Sequence, residues 1–193
     1  MKRRGLHPVM VALLLILALV AVSRPWVVVP IGARGDAPGN ASTSSIEERA
    51  AKIWTADVPD HVAAAVPLVA VTSKPGFVRG EGLVASIQSG SRVGVAYIDA
   101  TVENRIVKVA MSIGPVIRGN LLRDALGLGF EDFSSQSDFA NISARLNQRA
   151  LAGLNLADTP QALRGRKVTF TGAASANADG SVDLVPVQLV VAP

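Results

Sequence analysis

The sequence predicts an α+β protein: five strands that form a small barrel, helices between the third and fourth strands, and an N-terminal helical extension. Two observations predict this class. Short segments with an apolar residue at every second position recur along the chain, separated by Gly, Pro, Asn or Asp residues, as expected for half-buried strands. Between the third and fourth of these segments the apolar residues recur at helical spacing instead.

The chain begins with a segment typical of export. Cations at positions 2–4 precede fourteen consecutive apolar residues, 9–22, which is the pattern of a secretory signal with a charged start and an apolar centre. The small residues at 21 and 23 would allow cleavage after Ser23. The predicted location of the protein is therefore the cell envelope.

This segment is either cleaved or retained. Fourteen apolar residues are fewer than the roughly twenty of a membrane-spanning helix, which suits a cleaved signal. A longer stretch, 6–31, is interrupted at Arg24-Pro25, a poor start for a mature chain, so an uncleaved inner-membrane anchor is favoured. The predicted division is 1–31 as signal peptide or anchor, 32–44 as flexible linker and 45–193 as the envelope domain, because residues 32–44 are mostly Gly, Ala, Ser, Pro and Asn.

A helix is predicted at the start of the domain. Ser45–Glu48 has the pattern of a capping box. The apolar residues that follow fall on one helical stripe: Ile46, Ala50, Ile53 and Trp54. Trp54 is therefore interpreted as a core residue rather than a stacking platform. Pro59 is expected to start a second, short helical piece that Pro67 limits.

The predicted strands cover residues 77–87, 93–98, 105–113, 168–172 and 182–191. The third has the clearest alternation, with Val107, Val109, Met111 and Ile113 on one face. Glu103-Asn104 is the predicted turn into it. Because Pro186 has no N–H, the last strand is predicted to be an edge strand or to carry a bulge there. Five strands with helices between the third and fourth is the order of an oligonucleotide/oligosaccharide-binding (OB) barrel.

The segment Ile113–Leu126 forms a corner between strand and helix. Gly114-Pro115 ends the strand, and a short amphipathic helix follows with Arg123 and Asp124 predicted on its outer side. Arg118 lies in the corner between apolar and glycine neighbours. It is either a buried ion-pair partner or a ligand-binding cation, and the ion pair is favoured because paired charges are commoner than binding sites.

A longer helix is predicted from Asp138, its cap, to Leu151. Its inner face is expected to consist of Phe139, Ile142, Leu146 and Ala150. This helix is predicted to pack across the barrel, with Phe139, Ile142 and Leu146 buried beside Val107, Val109, Val168 and Phe170.

A charged cluster is also predicted. Arg79, Glu81 and Arg118 all lie in or beside glycine-rich extended segments, so they are expected to be close together, with Glu81 bonded to at least one of the arginines. On that basis Glu81→Gln is expected to cost a few kcal/mol, since breaking a buried pair costs about 3–5 kcal/mol. The candidates for ligand or partner binding are Arg79, Glu81, Arg118, Arg123, Asp124 and Glu131.

Composition argues against several functions. The net charge of +4 includes the three cations at 2–4; without them 16 basic residues face 15 acidic ones, which provides no basic face for nucleic acid. The chain has no cysteine, which excludes disulfides, thiolate metal sites and a lipidated cysteine. The sequence has two histidines: His7 lies in the export segment and His61 lies alone near a predicted helix start. A histidine-based triad or a histidine metal cluster is therefore not expected. No catalytic residue, metal site or cofactor is predicted.

Several motifs resemble those of a known family. They are Lys52–Trp54, Arg79–Gly82, Ile113–Leu126, Phe130–Phe133, Phe139 with Leu146–Leu151, Gly165–Gly172 and Val185–Val187. Together, over about residues 45–191, they resemble the bacterial family of predicted periplasmic lipoproteins numbered 2291 among the domains of unknown function. The resemblance implies an exported, membrane-attached domain, often encoded near sugar-type ABC transporters, with no established activity or site. This chain departs from the family pattern in lacking the lipobox cysteine and in a shorter segment at 64–74.

The predicted function is an exported, membrane-anchored accessory or binding module, associated through the resemblance with a sugar-type ABC transporter component. The cytoplasmic membrane, reached through the N-terminal helix, is its predicted partner, and nucleic acid is not. A purely structural envelope protein is the alternative. A carboxylate-based enzyme is the least favoured interpretation, because the acids come from separate elements and scattered acids usually form salt bridges.

Overall fold

The computed structural model describes residues 39–90, 92–154 and 160–192. The helices are α1 (Gly39–Ala63), α2 (Leu121–Ala125) and α3 (Gln136–Gly153). The strands are β1 (Val66–Pro67), β2 (Gly76–Gln88), β3 (Val95–Val102), β4 (Arg105–Ser112), β5 (Lys167–Ala176) and β6 (Val182–Val191). The described part of the chain is therefore α+β, as predicted.

Six strands form one sheet in the order β1-β2-β3-β4-β6-β5, and β2 also pairs with β5. This additional pairing returns the sheet to β2, so that β2, β3, β4, β6 and β5 make a closed ring of paired strands. Four of the five pairings in the ring are antiparallel and the β4–β6 pairing is parallel. The prediction of five strands is wrong in its count, because the two residues of β1 are too few to produce an alternating pattern.

The apolar residues form two clusters on opposite sides of the sheet. Residues inside the ring, among them Ile98, Val109, Val168 and Phe170, form the interior cluster. Residues on the outer wall pack with α1, α2 and α3 in a second, helix-facing cluster, to which the sheet contributes Phe77, Ala173, Val185 and Val187.

The position predicted for α3 is corrected by these clusters. Ile142 and Leu146 are buried, as predicted, and Phe139 is half-buried. They lie in the helix-facing cluster, however, whereas the partners predicted for them, Val109, Val168 and Phe170, lie inside the ring and Val107 packs against that interior. The helix covers β6 from outside the barrel, so the two sets of residues are separated by the thickness of the sheet.

Pro186 marks a bulge in β6, as the sequence predicted. Thr171 pairs with Gln188 but Gly172 pairs with Pro186, so one residue of β6 is extra at this point. The bulge changes which side chains face inward: Val182 and Leu184, before it, belong to the interior cluster, and Leu189, after it, packs against the same cluster. Val185 and Val187 face the helices, so the strand contributes to both apolar clusters.

Helix α1 differs from its prediction at both ends. It begins at Gly39, within the predicted linker, so Ser45 lies inside the helix rather than at a capping box. It also continues through Pro59 to Ala63 as one helix, where a restart was expected. The stripe of apolar residues is buried as predicted, and Trp54 packs half-buried against the helix-facing cluster. Arg145 and Arg149 of α3 both pair with Glu47 of α1, which fixes the two helices side by side.

The start of α3 is also corrected. Its N-cap is Ser135, whose hydroxyl accepts a hydrogen bond from the backbone N–H of Asp138 at 3.1 Å. Asp138 was predicted as the cap, and it lies instead in the first turn, where its charge favours the helix N-terminus.

No helix in residues 39–90, 92–154 and 160–192 is long and apolar enough to cross a membrane. The predicted signal or anchor, 1–31, lies outside the residues that the structure describes.

Candidate functional site

The charged cluster predicted around Glu81 does not form. Glu81 pairs with Lys167 at 2.9 Å on an exposed surface, because the register of β2 against β5 brings the start of β5 beside it. Arg79 instead donates a hydrogen bond to the backbone oxygen of Ala65 at 2.8 Å, which holds the chain after α1 against β2. The expected bond between Glu81 and an arginine is therefore wrong, and Glu81→Gln removes only an exposed pair worth at most about 1 kcal/mol.

Arg123 occupies a different environment from the one predicted. Its side chain is only 8% exposed, whereas the sequence placed it on the outer side of α2. The guanidinium lies 3.7 Å from the centre of the Phe139 ring and donates two hydrogen bonds to Asp124, at 2.9 and 2.7 Å. Arg123 and Asp124 thus form a pair that packs α2 against α3, with a structural role.

The two remaining candidates lie on exposed loops. Arg118 lies in the loop after β4, and within the described residues it makes no ion pair, so the buried-pair interpretation is not supported. Glu131 lies in the 3-10 turn Phe130–Asp132. Of the six residues predicted from sequence, the contacts join only the neighbours Arg123 and Asp124.

A different part of the molecule forms a groove. Its volume is about 440 Å³, and it lies on the outer face of three neighbouring strands beneath the turn that joins β5 and β6. We call it the outer groove. Its lining residues are Ala85 and Ser86 of β2, Tyr97 and Asp99 of β3, Lys108 and Ala110 of β4, and Asp179 and Ser181 of the turn.

The floor of the outer groove follows from strand register. Tyr97 lies between Ser86 on one side and Ala110 on the other, and Asp99 lies opposite Lys108. Lys108 Nζ and Asp99 Oδ1 are 2.7 Å apart, and the Tyr97 hydroxyl donates to Gln88 Oε1 at 3.2 Å. Small side chains at 86 and 110 leave the Tyr97 ring, the only tyrosine of the chain, accessible between them.

The wall of the groove is a tightly hydrogen-bonded turn. Asp179 Oδ1 accepts hydrogen bonds from the backbone N–H and the hydroxyl of Ser181, at 2.9 and 2.6 Å. These bonds, with the hydroxyl contributing most, hold the pKa of the Asp179 carboxyl below its usual value. The carboxylate is therefore ionised at neutral pH and adds a fixed negative charge to the groove.

The pKa of Asp179 provides a test of this turn. We expect Ser181→Ala to raise it towards the usual value, because the largest stabilising bond to the charged form is lost. A carboxyl with a depressed pKa in the folded state contributes stability above its unfolded pKa and loses it as the pH falls through the folded value. NMR titration of the Asp179 carboxyl carbon measures the shift directly. The control Ser175→Ala, which removes a hydroxyl bonded to Ser73 O instead, should leave the pKa of Asp179 unchanged.

Residues of the types that bind metals are scattered in the described part of the chain. No group of three or more His, Asp or Glu residues among them could hold a metal ion. His61, the histidine of this part of the chain, stacks on Phe77 with ring centres 5.2 Å apart. The outer groove combines one aromatic ring, one ion pair, hydroxyls and a carboxylate.

The residues of the outer groove were not predicted from the sequence. A signal existed: Tyr97 and Asp99 on one strand and Lys108 and Ala110 on the next alternate with buried neighbours, so they had to share the outer face. The sequence does not indicate that the turn at Asp179 folds over this face, because that depends on the tertiary structure.

Comparison with solved structures gives several low-identity likenesses. An OB-fold protein from Thermotoga maritima is 16% identical over 82% of this chain and 100% of its own, with a TM-score of 0.42. An OBody bound to hen egg-white lysozyme is 17% identical over 61% of this chain and 94% of its own, with a TM-score of 0.29. The S. pombe Stn1–Ten1 complex is 11% identical over 60% and 57% of the two chains, with a TM-score of 0.27. At these scores the likenesses say nothing about a ligand of this chain.

Comparison with curated proteins gives no match. The family model described as "Predicted periplasmic lipoprotein (DUF2291)" matches residues 74–190, which include β2 to β5 and nearly all of β6. This match confirms both the resemblance found in the sequence motifs and the predicted location in the cell envelope. Since it covers more than half of the chain, the protein belongs to this family of predicted periplasmic lipoproteins.

Proposed function

We propose that this chain is an exported binding module of the cell envelope, with an OB-like barrel whose outer groove holds a small ligand. The observation that carries the proposal is the groove itself. Two adjacent strands supply a ring and an ion pair at its floor, and a rigid turn closes one side. Pockets with a few convergent polar groups beside an accessible ring are the usual form of ligand sites.

The charges of the outer groove favour an uncharged, hydroxyl-rich ligand such as a sugar. Asp99 and Asp179 are acidic and Lys108 is the one cation of its lining, so the groove carries a formal charge of about −1 and disfavours phosphates. The Tyr97 ring offers an apolar face for a sugar ring, while Lys108, Asp99 and Ser181 offer donors and acceptors for hydroxyl groups. The negative charge of the groove also disfavours nucleic acid, because its phosphates are negative.

Catalysis is disfavoured by the state of the two carboxylates. Asp99 is bonded to Lys108 and Asp179 to Ser181. The pKa of Asp179 is lowered, whereas a general acid requires a carboxyl whose pKa is raised. We therefore assign the groove to binding.

The second part of the proposal concerns the anchoring of the chain in the inner membrane and its partner protein. The cationic and apolar segment 1–31 would keep the module at the inner membrane, where a component of a sugar-type ABC transporter would be within reach. The support is the N-terminal sequence pattern together with the family resemblance. Genes for a solute-binding protein and a permease beside the gene for this chain would support the assignment, and their consistent absence would count against it.

The ligand proposal is tested by thermal unfolding of the purified full chain with a panel of neutral sugars. A ligand present at one hundred times its Kd stabilises the folded state by about 2.7 kcal/mol, which corresponds to a rise in Tm of roughly 5–10 °C at this chain length. We expect such a rise for at least one sugar, its loss in Tyr97→Ala and its retention in Tyr97→Phe, which keeps the ring.

The control is Val190→Thr, a substitution of an exposed residue on β6, which should leave the rise unchanged. No response to any sugar would favour the structural alternative. A response equal in Tyr97→Ala and the unsubstituted chain would place the ligand outside the groove.

A further inference from the structure

Charge is distributed unevenly between the two ends of the barrel. Strands β2, β4 and β6 end at the same end, and β3 and β5 begin there, because β4 and β6 are parallel and the other neighbours are antiparallel. The connections at this end are 89–94, 113–120 and 160–166. Their charged residues are all cations, which we call the basic end: Arg92, Arg118, Arg164 and Arg166.

The connections at the other end of the barrel have a different balance. They are 71–75, 103–104 and 177–181. They contain one cation, Lys74, and two acids, Glu103 and Asp179. The near balance of charge in the whole chain therefore hides a local excess of cations. The segment 155–159 adds one acid, Asp158, which is too few to cancel that excess.

The three connections of the basic end contact one another. Gln161 Nε2 donates a hydrogen bond to Ser89 Oγ at 2.8 Å, and the N–H of Val116 donates to the backbone oxygen of Arg92 at 3.1 Å. All four arginines are exposed. Within residues 39–90, 92–154 and 160–192 none of the four forms an ion pair, so no acid in this part of the chain neutralises them.

Helix α1 begins on the side of the basic end. Close to its C-terminus, His61 stacks on Phe77, which is at the start of β2 and so at the other end of the barrel. Earlier in the helix, Glu47 pairs with α3 beside Asn147, which bonds the loop after β4. Since a helix advances by roughly 1.5 Å per residue, its first residue, Gly39, lies still farther from Phe77. The preceding segment of the chain joins the domain on this side.

We propose that the basic end faces an anionic lipid surface, with the four arginines beside the phosphates of the headgroups. This inference rests on the proposed anchoring through segment 1–31, which would hold the domain at the membrane by the side on which α1 begins. Each cation near an anionic bilayer strengthens association roughly fivefold, and guanidinium groups match the geometry of phosphate oxygens.

Two observations favour lipid over nucleic acid as the source of these phosphates. The family match places the chain in the cell envelope, where phospholipid is within reach. The connections that carry the four arginines contain no Phe, Tyr or Trp, so they offer no platform on which bases could stack. The turn at Asp179, which forms one wall of the outer groove, is at the other end of the barrel and would point away from the membrane.

The test attaches one fluorophore to the full chain, which has no cysteine of its own. Ala162→Cys carries the label at the basic end and Ala178→Cys carries it at the other end, and both alanines are exposed. Each labelled chain is reconstituted with vesicles that contain a headgroup-linked quencher, made of phosphatidylcholine alone or of an equal mixture with phosphatidylglycerol. We expect quenching at 162 to rise about twofold or more in the anionic vesicles and to fall again at high salt, with little change at 178.

Two double variants of the chain labelled at 162 make a matched pair. Arg92→Gln with Arg164→Gln removes two cations from the basic end. Lys74→Gln with Arg105→Gln removes two exposed cations from the other end, so both variants have the same net charge. We expect the first variant to lose most of the extra quenching in anionic vesicles and the second to retain it.

The proposal is overturned if the label at 162 responds equally to the two lipid mixtures, if the labels at 162 and 178 respond alike, or if the two double variants behave alike. Release of the label at 162 from anionic vesicles by a single-stranded oligonucleotide at equal phosphate concentration would also overturn it, since nucleic acid would then be the preferred occupant. Flotation with phosphatidylcholine vesicles tests the anchor separately. A chain that does not float with them contradicts the anchor, and the anionic vesicles still test the basic end.

Discussion

Gly114→Ala is expected to lower the free energy of unfolding by about 3 kcal/mol, or to prevent folding. A Cβ at this position would overlap the backbone nitrogen of Gly94 and lie 2.8 Å from the Cα of Gly94. The two backbones are held together by hydrogen bonds from the N–H groups of Ile113 and Gly114 to the oxygen of Gly94, at 2.9 and 3.0 Å. Because the obstacle is backbone, no side-chain rotation relieves the overlap.

The control for this prediction is Gly76→Ala. No atom lies within 4 Å of a Cβ added at Gly76, so the change should alter stability by no more than about 0.5 kcal/mol. Urea unfolding of the two variants, followed by circular dichroism, compares them. If the two variants were equally stable, the contact between Gly114 and Gly94 would accommodate an added Cβ and the prediction would be wrong.

Asn147→Asp is expected to cost about 3 kcal/mol at pH 7, although the side chain keeps its shape. Asn147 is buried on α3, and its amide Nδ2 donates to the backbone oxygens of Ile117 and Gly119, at 3.3 and 3.1 Å. An aspartate would direct carboxylate oxygens at the same two acceptors. The result is a buried charge without a donor.

The loss should depend on pH in a defined direction. Repulsion from the two carbonyls and burial raise the pKa of the introduced carboxyl in the folded state, so the folded state binds the proton more tightly than the unfolded one. The penalty is then smallest below the unfolded pKa and reaches its full size as the pH rises through the folded one. Urea unfolding at pH 4 and pH 7 measures the difference.

Gln148→Glu is the matched control, since it makes the same amide-to-acid change one residue along the helix. Gln148 is exposed and accepts a hydrogen bond from Arg145 at 3.2 Å, which a carboxylate also accepts. We expect a change within about 0.5 kcal/mol. If Asn147→Asp were as stable as this control at pH 7, the amide would not be what holds the corner against α3.

Asn147 and Gly114 explain how the corner Ile113–Leu126 is fixed. Gly114 allows the loop to touch the start of β3, and Asn147 bonds two carbonyls of the loop from a helix thirty residues away along the chain. The sequence singled out this corner but attached its importance to Arg118. In the structure Arg118 is exposed, and contacts of Gly114 and Asn147 fix the backbone of its loop.

The elements with one buried face were predictable. The alternation of Val107, Val109 and Met111 and the helical spacing of Ile142 and Leu146 were confirmed, because a residue's face within a strand or helix depends only on its position along that element. The turn at Glu103-Asn104 and the bulge at Pro186 were likewise local, since each follows from the backbone preferences of one or two residues.

Charged partners were not predictable in the same way. Glu81 meets Lys167 because β2 and β5 pair in one particular register, and Arg123 is buried because α3 brings Phe139 against it. The residues next to Glu81 and Arg123 in the sequence do not indicate either contact. The long side chains of such residues can reach several elements, so their partners depend on which elements are adjacent.

Sequence alone was sufficient to predict the family, the envelope location, the α+β class and the buried face of β4 and α3, because these depend on local periodicity and on motifs in fixed order. It was not sufficient to predict that α3 packs outside the ring, that Arg123 is buried, or that Tyr97, Lys108 and Asp179 line one groove. Those outcomes depend on strand register and on the turn between β5 and β6, which bring together residues as far apart as Ala85 and Ser181.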